Sequence, residues 1–162
     1  DSRVSERALR EIYLKGFEIC VKTARPFNIM TSYNKINGVW GHYHYGTCTQ
    51  ILRGEWEYDG CVMTDWWMRA SKDPDFPLLR NNAYRVRGQV DVLMPGAGAG
   101  SRKAKYDPSL LESLGKPDGI TRAEICRSAM NTLRFVLRSH PFCAEHGLDN
   151  GYRPGPDWFE CR

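Results

Sequence analysis

Apolar residues recur at helical spacing over 6–23, where Leu9, Ile12, Tyr13, Phe17 and Cys20 fall on one face. Ser5, or Ser2 a turn earlier, is positioned to cap this helix, and Pro26 stops it. A short run over 28–33 then reads as a strand, and the Asn37-Gly38 pair within 34–38 marks a turn. After a loop over 39–46 rich in Trp, His and Tyr, the pattern predicts a helix over 47–56 with Ile51, Leu52 and Trp56 facing inward. Gly60-Cys61-Val62-Met63-Thr64 is the next strand, and it ends abruptly in Asp65-Trp66-Trp67. Loop chemistry fills 71–77, a short helix follows over 79–87, and a third strand over 89–94 runs into the flexible Ala97-Gly98-Ala99-Gly100. The clearest helix spans 121–139, with Thr121 as cap, Glu124 as its capping-box partner, and Ile125, Ala129, Leu133 and Val136 or Leu137 on one side. From Pro141 onward, Gly and Pro recur and the chain reads as irregular.

Strands that alternate with helices at this spacing predict parallel pairing through right-handed crossovers, an α/β fold. In such folds the carboxyl ends of the strands face the ligand crevice, so an acid there meets a substrate while its strand stays buried. Asp65 is placed that way, and a flat indole beside it suits the C–H face of a pyranose. An alternative stands beside this one: Asp65 caps the following helix and both Trp residues are core.

Composition narrows the function classes. The formal charge of +4 is spread along the chain, with no basic stripe interleaved with aromatics, which argues against nucleic-acid binding. No apolar run reaches membrane-spanning length. The six cysteines sit far apart without a C-x-x-C pair, so neither a zinc site nor a redox motif is indicated. They read as small core residues of a reducing compartment, which, with no signal peptide in the chain, favours a cytoplasmic location. His42 and His44, at i and i+2, lack an evident third ligand, so the loop around them is expected to be an aromatic loop near a sugar and not a metal site. The chain opens on Asp1, as an internal piece or a processed product would. Its 162 residues fall short of the roughly 250 of a complete eight-stranded α/β barrel.

Five fragments, in order, carry a resemblance. They are Ser5-Glu6-Arg7-Ala8-Leu9-Arg10-Glu11-Ile12-Tyr13-Leu14, Met30-Thr31-Ser32-Tyr33-Asn34-Lys35-Ile36-Asn37-Gly38, Leu52-Arg53-Gly54-Glu55-Trp56, Asp59-Gly60 through Thr64-Asp65-Trp66, and Asp91-Val92-Leu93-Met94-Pro95-Gly96. Together they resemble glycoside hydrolase family 3, the β-glucosidase and exo-glycosidase family, and the 121–139 helix is similar to the last helix of its barrel. The resemblance implies that 1–140 is the C-terminal part of a TIM-type (β/α) barrel and 141–162 an irregular tail. It implies a retaining enzyme that cleaves terminal β-linked glucose, with Asp65 as nucleophile, Tyr33 beside it, Met30 lining the glycone subsite and Trp66 stacking on the sugar. No metal or organic cofactor is implied.

Retention needs a second carboxyl roughly 5–5.5 Å from the first. The family usually takes it from a separate α/β-sandwich domain, which nothing here matches, and the upstream half of the barrel is also absent. Glu55, Glu57, Asp73 and Asp75 read as solvated helix-end and loop charges. The expected partners are therefore a β-glucoside substrate, the missing barrel half and the sandwich domain, and an open half-barrel is also expected to self-associate. Trp67-Met68 in place of the glycine common after the S/T-D-W motif is a pattern associated with members whose barrel follows the sandwich. Two alternatives remain: a non-catalytic carbohydrate-binding or scaffold segment, and a member specific for xylose or N-acetylglucosamine.

Overall fold

The computed structural model describes residues 1–66, 81–94 and 108–151. The 71–77 loop, Trp67, Met68, the Gly-rich 97–100 segment and the end of the tail lie outside the described residues.

Helix α1 is built from Glu6–Ala8, Leu9–Tyr13 and Lys15–Ala24, and Ser5 Oγ caps it by accepting the Ala8 N–H at 3.2 Å. Its middle is wound wide, with the Leu14 N–H donating five residues back to the Leu9 carbonyl at 2.8 Å. That wide turn changes which residues face inward. Leu9 and Val21 are buried and Leu14 half-buried, whereas Ile12, Tyr13, Phe17 and Cys20 of the expected inner face are exposed. One extra residue in a turn rotates everything beyond it by about 100°, which a strict 3.6-residue pattern does not anticipate.

Strand β1 is Asn28–Met30, shorter than the run over 28–33 suggests, because the chain then leaves the sheet for a hairpin. The hairpin pairs β2, Lys35–Ile36, antiparallel with β3, Val39–Trp40. Asn37 and Gly38, at φ 49° and 92°, supply the two left-handed residues that a tight two-residue turn requires. At Gly41 a Cβ would stand 2.1 Å from Ser32 Oγ, so only glycine lets the loop cross the end of β1 this closely. Helix α2, Gly46–Glu55, buries Cys48, Ile51 and Leu52 and ends in another wide turn, Trp56 N–H to the Ile51 carbonyl at 3.0 Å.

Strand β4, Cys61–Met63, lies in the middle of the sheet. It pairs in parallel with β1 in the register Asn28↔Cys61, Ile29↔Val62 and Met30↔Met63, and on its other side Met63 bridges Val92, again in parallel. The third strand expected over 89–94 is thus reduced to a parallel bridge. Val62 and Val90 are fully buried with Val21, Cys48, Leu52 and Tyr58, and Ile29, Trp56 and Leu93 pack against them. A second cluster joins Tyr43 to Ala83 and Tyr84 of helix α3, Asn81–Arg87, with the two tyrosine rings edge to face at 4.7 Å.

Helix α4, Ser109–Ser113, was not legible in the pattern. Helix α5, Arg122–Leu137, has the expected capping box in full: Thr121 Oγ1 accepts the Glu124 N–H, and the Glu124 carboxylate accepts the Thr121 N–H. Its orientation is the second correction. The face turned inward is polar, with Ser128 and Asn131 buried, while Leu133, Val136 and Leu137 are exposed. Helix α6, His140–Glu145, occupies part of the stretch read as irregular, because Ser139 stands before His140 and Pro141, where a proline starts a helix well. Among the described residues no helix is long and apolar enough to cross a membrane.

Candidate active site

Parallel pairing brings the two carboxyl ends of β1 and β4 out on one edge of the sheet. Met30 closes β1 opposite Met63, and Asp65 follows Met63 by two residues. The edge is laced by backbone and side-chain bonds: Thr31 N–H to the Met63 carbonyl, Thr64 N–H to the Val92 carbonyl, and Met94 N–H to Thr64 Oγ1, each 2.9 Å. Thr64, the residue before Asp65, is buried and held twice by the segment beside β4, through Val92 and Met94, while Met63 holds the β1 side. Asp65 itself is half-buried, and its Oδ1 accepts the N–H of the next residue, Trp66, at 2.7 Å. Met30, Tyr33 and Trp66 are 50%, 45% and 40% exposed, so the edge that carries them is open to a ligand. Of the four expected residues, Met30 ends β1 and Asp65 follows the end of β4, with Tyr33 and Trp66 three and one residues further along their segments. Next to Met30, a cavity of about 140 Å³ opens between α1, β1 and α2, lined by Leu14, Phe17, Leu52 and Trp56 among others.

The opposite end of the same strands holds charges that the sequence pattern did not single out. Arg53 of α2 donates from Nη2 to Asp91 Oδ2 at 2.6 Å, and both side chains are almost wholly buried. Asp91 Oδ2 also accepts the Val62 N–H at 2.9 Å, and Oδ1 accepts from Asn131 Nδ2 at 3.1 Å. Burial pushes the Asp91 carboxyl up from its ordinary value, while Arg53, the Val62 N–H and Asn131 pull against it. The available signal was an acid set inside an apolar run, Asp91 between Val90 and Val92-Leu93, where a charge needs a partner. The polar inward face of α5 has the same cause: Asn131 and Ser128, whose hydroxyl donates to the Asp91 carbonyl, serve this acid.

His42 and His44 fall apart in role. His42 is 1% exposed, and its Nδ1 accepts from Arg85 Nε at 2.9 Å. His44 Nδ1 accepts the Thr47 N–H at 3.2 Å, at the start of α2. The segment Gly41–Tyr43 is buried against α3, so the aromatic loop is core at this point and not a surface laid open to a sugar. Burial, with Arg85 adding repulsion, holds the His42 imidazole down at about 3 from 6.5. Because the unfolded chain binds this proton below its ordinary value and the folded chain does not, stability falls as pH drops from 6.5 toward 3. We expect His42→Gln, which keeps an acceptor for Arg85, to lose about 2 kcal/mol less than the unsubstituted chain between pH 7 and pH 5 in urea titrations. Equal losses would show that another group carries the dependence.

Of the acids set aside as solvated, Glu55 takes both terminal nitrogens of Arg10, which hold its carboxyl below the ordinary value, and it ties α2 to α1. Asp73 and Asp75 lie outside the described residues. Among the described residues no group of three His, Cys, Asp or Glu side chains is arranged to hold a metal ion.

Known proteins resemble this chain in sequence and in fold. The family profile described as Glycosyl hydrolase family 3 N terminal domain matches residues 2–119. A β-glucosidase of Ruminococcus albus is 42% identical over 149 residues, 92% of this chain but 15% of that protein. An exo-α-(1→6)-L-arabinopyranosidase of Bifidobacterium longum is 54% identical over 66 residues, 41% of this chain and 9% of that protein. β-Glucosidase 3B of Thermotoga neapolitana, solved with glucose, superposes with a TM-score of 0.71 at 30% identity, over 91% of this chain and 19% of that one. This chain therefore spans less than a fifth of these relatives, and its parallel β-α order is part of a TIM-type barrel. With the profile covering most of its length and the strand-end motifs in register, the chain belongs to glycosyl hydrolase family 3.

Proposed function

We propose that this chain is the nucleophile-bearing part of a retaining glycosidase of the β-glucosidase type. The observation that supports the reading is the register of β1 and β4, which sets Met30 opposite Met63, two residues before Asp65, with Met30, Tyr33 and Trp66 exposed. The ionised Asp65 carboxylate attacks the anomeric carbon of a terminal β-linked glucose from the face opposite the leaving oxygen. The C–O bond to the aglycone breaks as the Asp65 ester bond forms, and the leaving oxygen takes a proton from an acid supplied by another part of the enzyme. Water, deprotonated by the same group, then attacks the anomeric carbon from the face the aglycone left, the ester bond to Asp65 breaks to release the carboxylate, and the original configuration is restored. Tyr33 steadies the carboxylate by hydrogen bonding, Trp66 offers a flat face to the sugar, and Met30 packs at its edge.

The acid, the upstream barrel strands and the sandwich domain are the partners this reading requires. Support comes from what the described residues leave uncovered: the outer side of β1, the cavity beside it, and the apolar residues Ile12, Tyr13 and Phe17 of α1. A second substrate reading, a terminal α-L-arabinopyranoside, is favoured by the high identity to the Bifidobacterium enzyme over 66 residues. The two sugars should be compared directly as aryl glycosides.

Incubation with an activated 2-deoxy-2-fluoro-β-glucoside, followed by intact-mass and peptide mapping, tests the chemistry. The expected result is one glycosyl adduct on Asp65, absent in Asp65→Asn. If the chain alone stays unlabelled, the same trap is applied to the longer reading frame that carries it. Failure there removes Asp65 as nucleophile, and sugar binding without labelling would put the carbohydrate-binding reading ahead.

A further inference from the structure

Arg53 is placed to do more than neutralise Asp91. From α2 its Nη1 donates to the carbonyls of Tyr58 at 3.1 Å and Gly60 at 2.9 Å, the turn that enters β4. Its Nη2 donates to the Gln89 carbonyl at 3.3 Å and to Asp91 Oδ2 at 2.6 Å, at the entrance of the neighbouring strand. Asp91 in turn grips β4 directly through the Val62 N–H and fastens the pair to α5 through Asn131. One guanidinium and one carboxylate thus tie two strand entrances and two helices together. At the far end of β4 stand Thr64, which accepts the N–H of Met94 from the neighbouring segment, and Asp65.

We propose that Arg53, Asp91 and Asn131 are positioning residues that set how far β4 slides along its neighbour, and hence where the Asp65 carboxylate stands relative to the sugar; this rests on Asp65 being the nucleophile. The physical argument is directional. Apolar packing of Val62 and Val90 favours burial but is nearly indifferent to a small slide along the strand axis. Hydrogen bonds from a rigid planar fork to oxygens on two strands are not, because they weaken steeply with misalignment. Asp65 lies three residues beyond Val62, roughly 10 Å along the strand, so a slide at the gripped amide passes almost undiminished to the carboxylate. Displacement of a reacting atom by about 1 Å is enough to cost on the order of a hundredfold in rate. A buried ion pair is by contrast a weak source of stability in itself, since desolvation offsets most of its attraction.

The test is the rate of adduct formation with the fluoro-glucoside, in the form of the protein whose unsubstituted version labels, for Arg53→Lys and Asn131→Ala. Val21→Ala, which loosens the same core without touching the node, is the control. Thermal melting and the final extent of labelling are recorded alongside. Lysine keeps the charge but not the fork. We expect the saturating rate to fall at least tenfold in Arg53→Lys and severalfold in Asn131→Ala, with less than a twofold change in the half-saturating probe concentration. Val21→Ala should melt earlier yet label at the original rate. An unchanged rate in Arg53→Lys, or a slowing in Val21→Ala equal to it, overturns the positioning role while leaving Asp65 as nucleophile. No labelling of the unsubstituted enzyme overturns both.

Discussion

Asp65→Gly is expected to lower turnover of an aryl β-glucoside by about 10⁴-fold or more, the scale on which removing a covalent nucleophile acts. The loss should be partly reversible. Glycine leaves a space on the face of the sugar that the carboxylate occupied, and a small anion such as azide fits there and attacks the anomeric carbon in its place. The product is then the α-glucosyl azide, of inverted configuration, because the second displacement that would restore it has no ester to act on. Rate measurements with and without azide, and the anomeric proton coupling of the product, check both parts. Turnover within tenfold of the unsubstituted enzyme, or a β-configured azide, would contradict the assignment. The same variant discriminates against the helix-cap reading of Asp65, under which loss of the carboxylate costs stability of about 1 kcal/mol and leaves the chemistry largely intact.

The largest effect on stability is expected from Asp91→Ala, about 3–5 kcal/mol by urea unfolding, a sizeable part of what holds a domain of this size together. The loss comes from what is left behind. Arg53 stays buried with no carboxylate, and the Val62 N–H and Asn131 amide lose their shared acceptor. The double variant Arg53→Met with Asp91→Leu should therefore be more stable than Asp91→Ala, although it removes more hydrogen bonds. A double variant less stable than the single would show that the network, and not the stranded charge, carries the energy. The two variants separate stability from geometry, since the apolar pair is expected to fold and yet to hold β4 less firmly in register.

Several features were readable because their causes are local. The Ser5 cap and the Thr121–Glu124 capping box involve residues three apart, and both helices begin where those residues stand. The Asn37-Gly38 turn follows from two left-handed positions, and its hairpin partners are only the residues on either side. The inward side of α2 was read from Ile51 and Leu52, and both are buried. Other features depended on distant residues. On α1, one wide turn displaced the expected face, so that Phe17 is exposed and Val21 buried. On α5, the apolar residues Leu133, Val136 and Leu137 outnumber the polar ones that point inward, and periodicity favoured the wrong side. Asp91 decided that orientation: a buried carboxylate must find donors, and Asn131 is the donor α5 has to offer.

For the candidate site the division is similar. The alternation of strands and helices and their parallel pairing were legible from the residues alone, as were the motifs that end in Met30 and in Asp65. Parallel strands place their carboxyl ends on one side, so the order of motifs alone was enough to predict a shared side for Met30 and Asp65. The register of Met30 against Met63, the anchoring of Thr64 to Met94 and the charged pair Arg53–Asp91 at the other end of the strands emerged with the folded chain. Those contacts join residues about thirty to forty positions apart. Their partners are chosen by burial and by the requirement that every buried polar group be satisfied, a condition that exists only once the chain has closed around them.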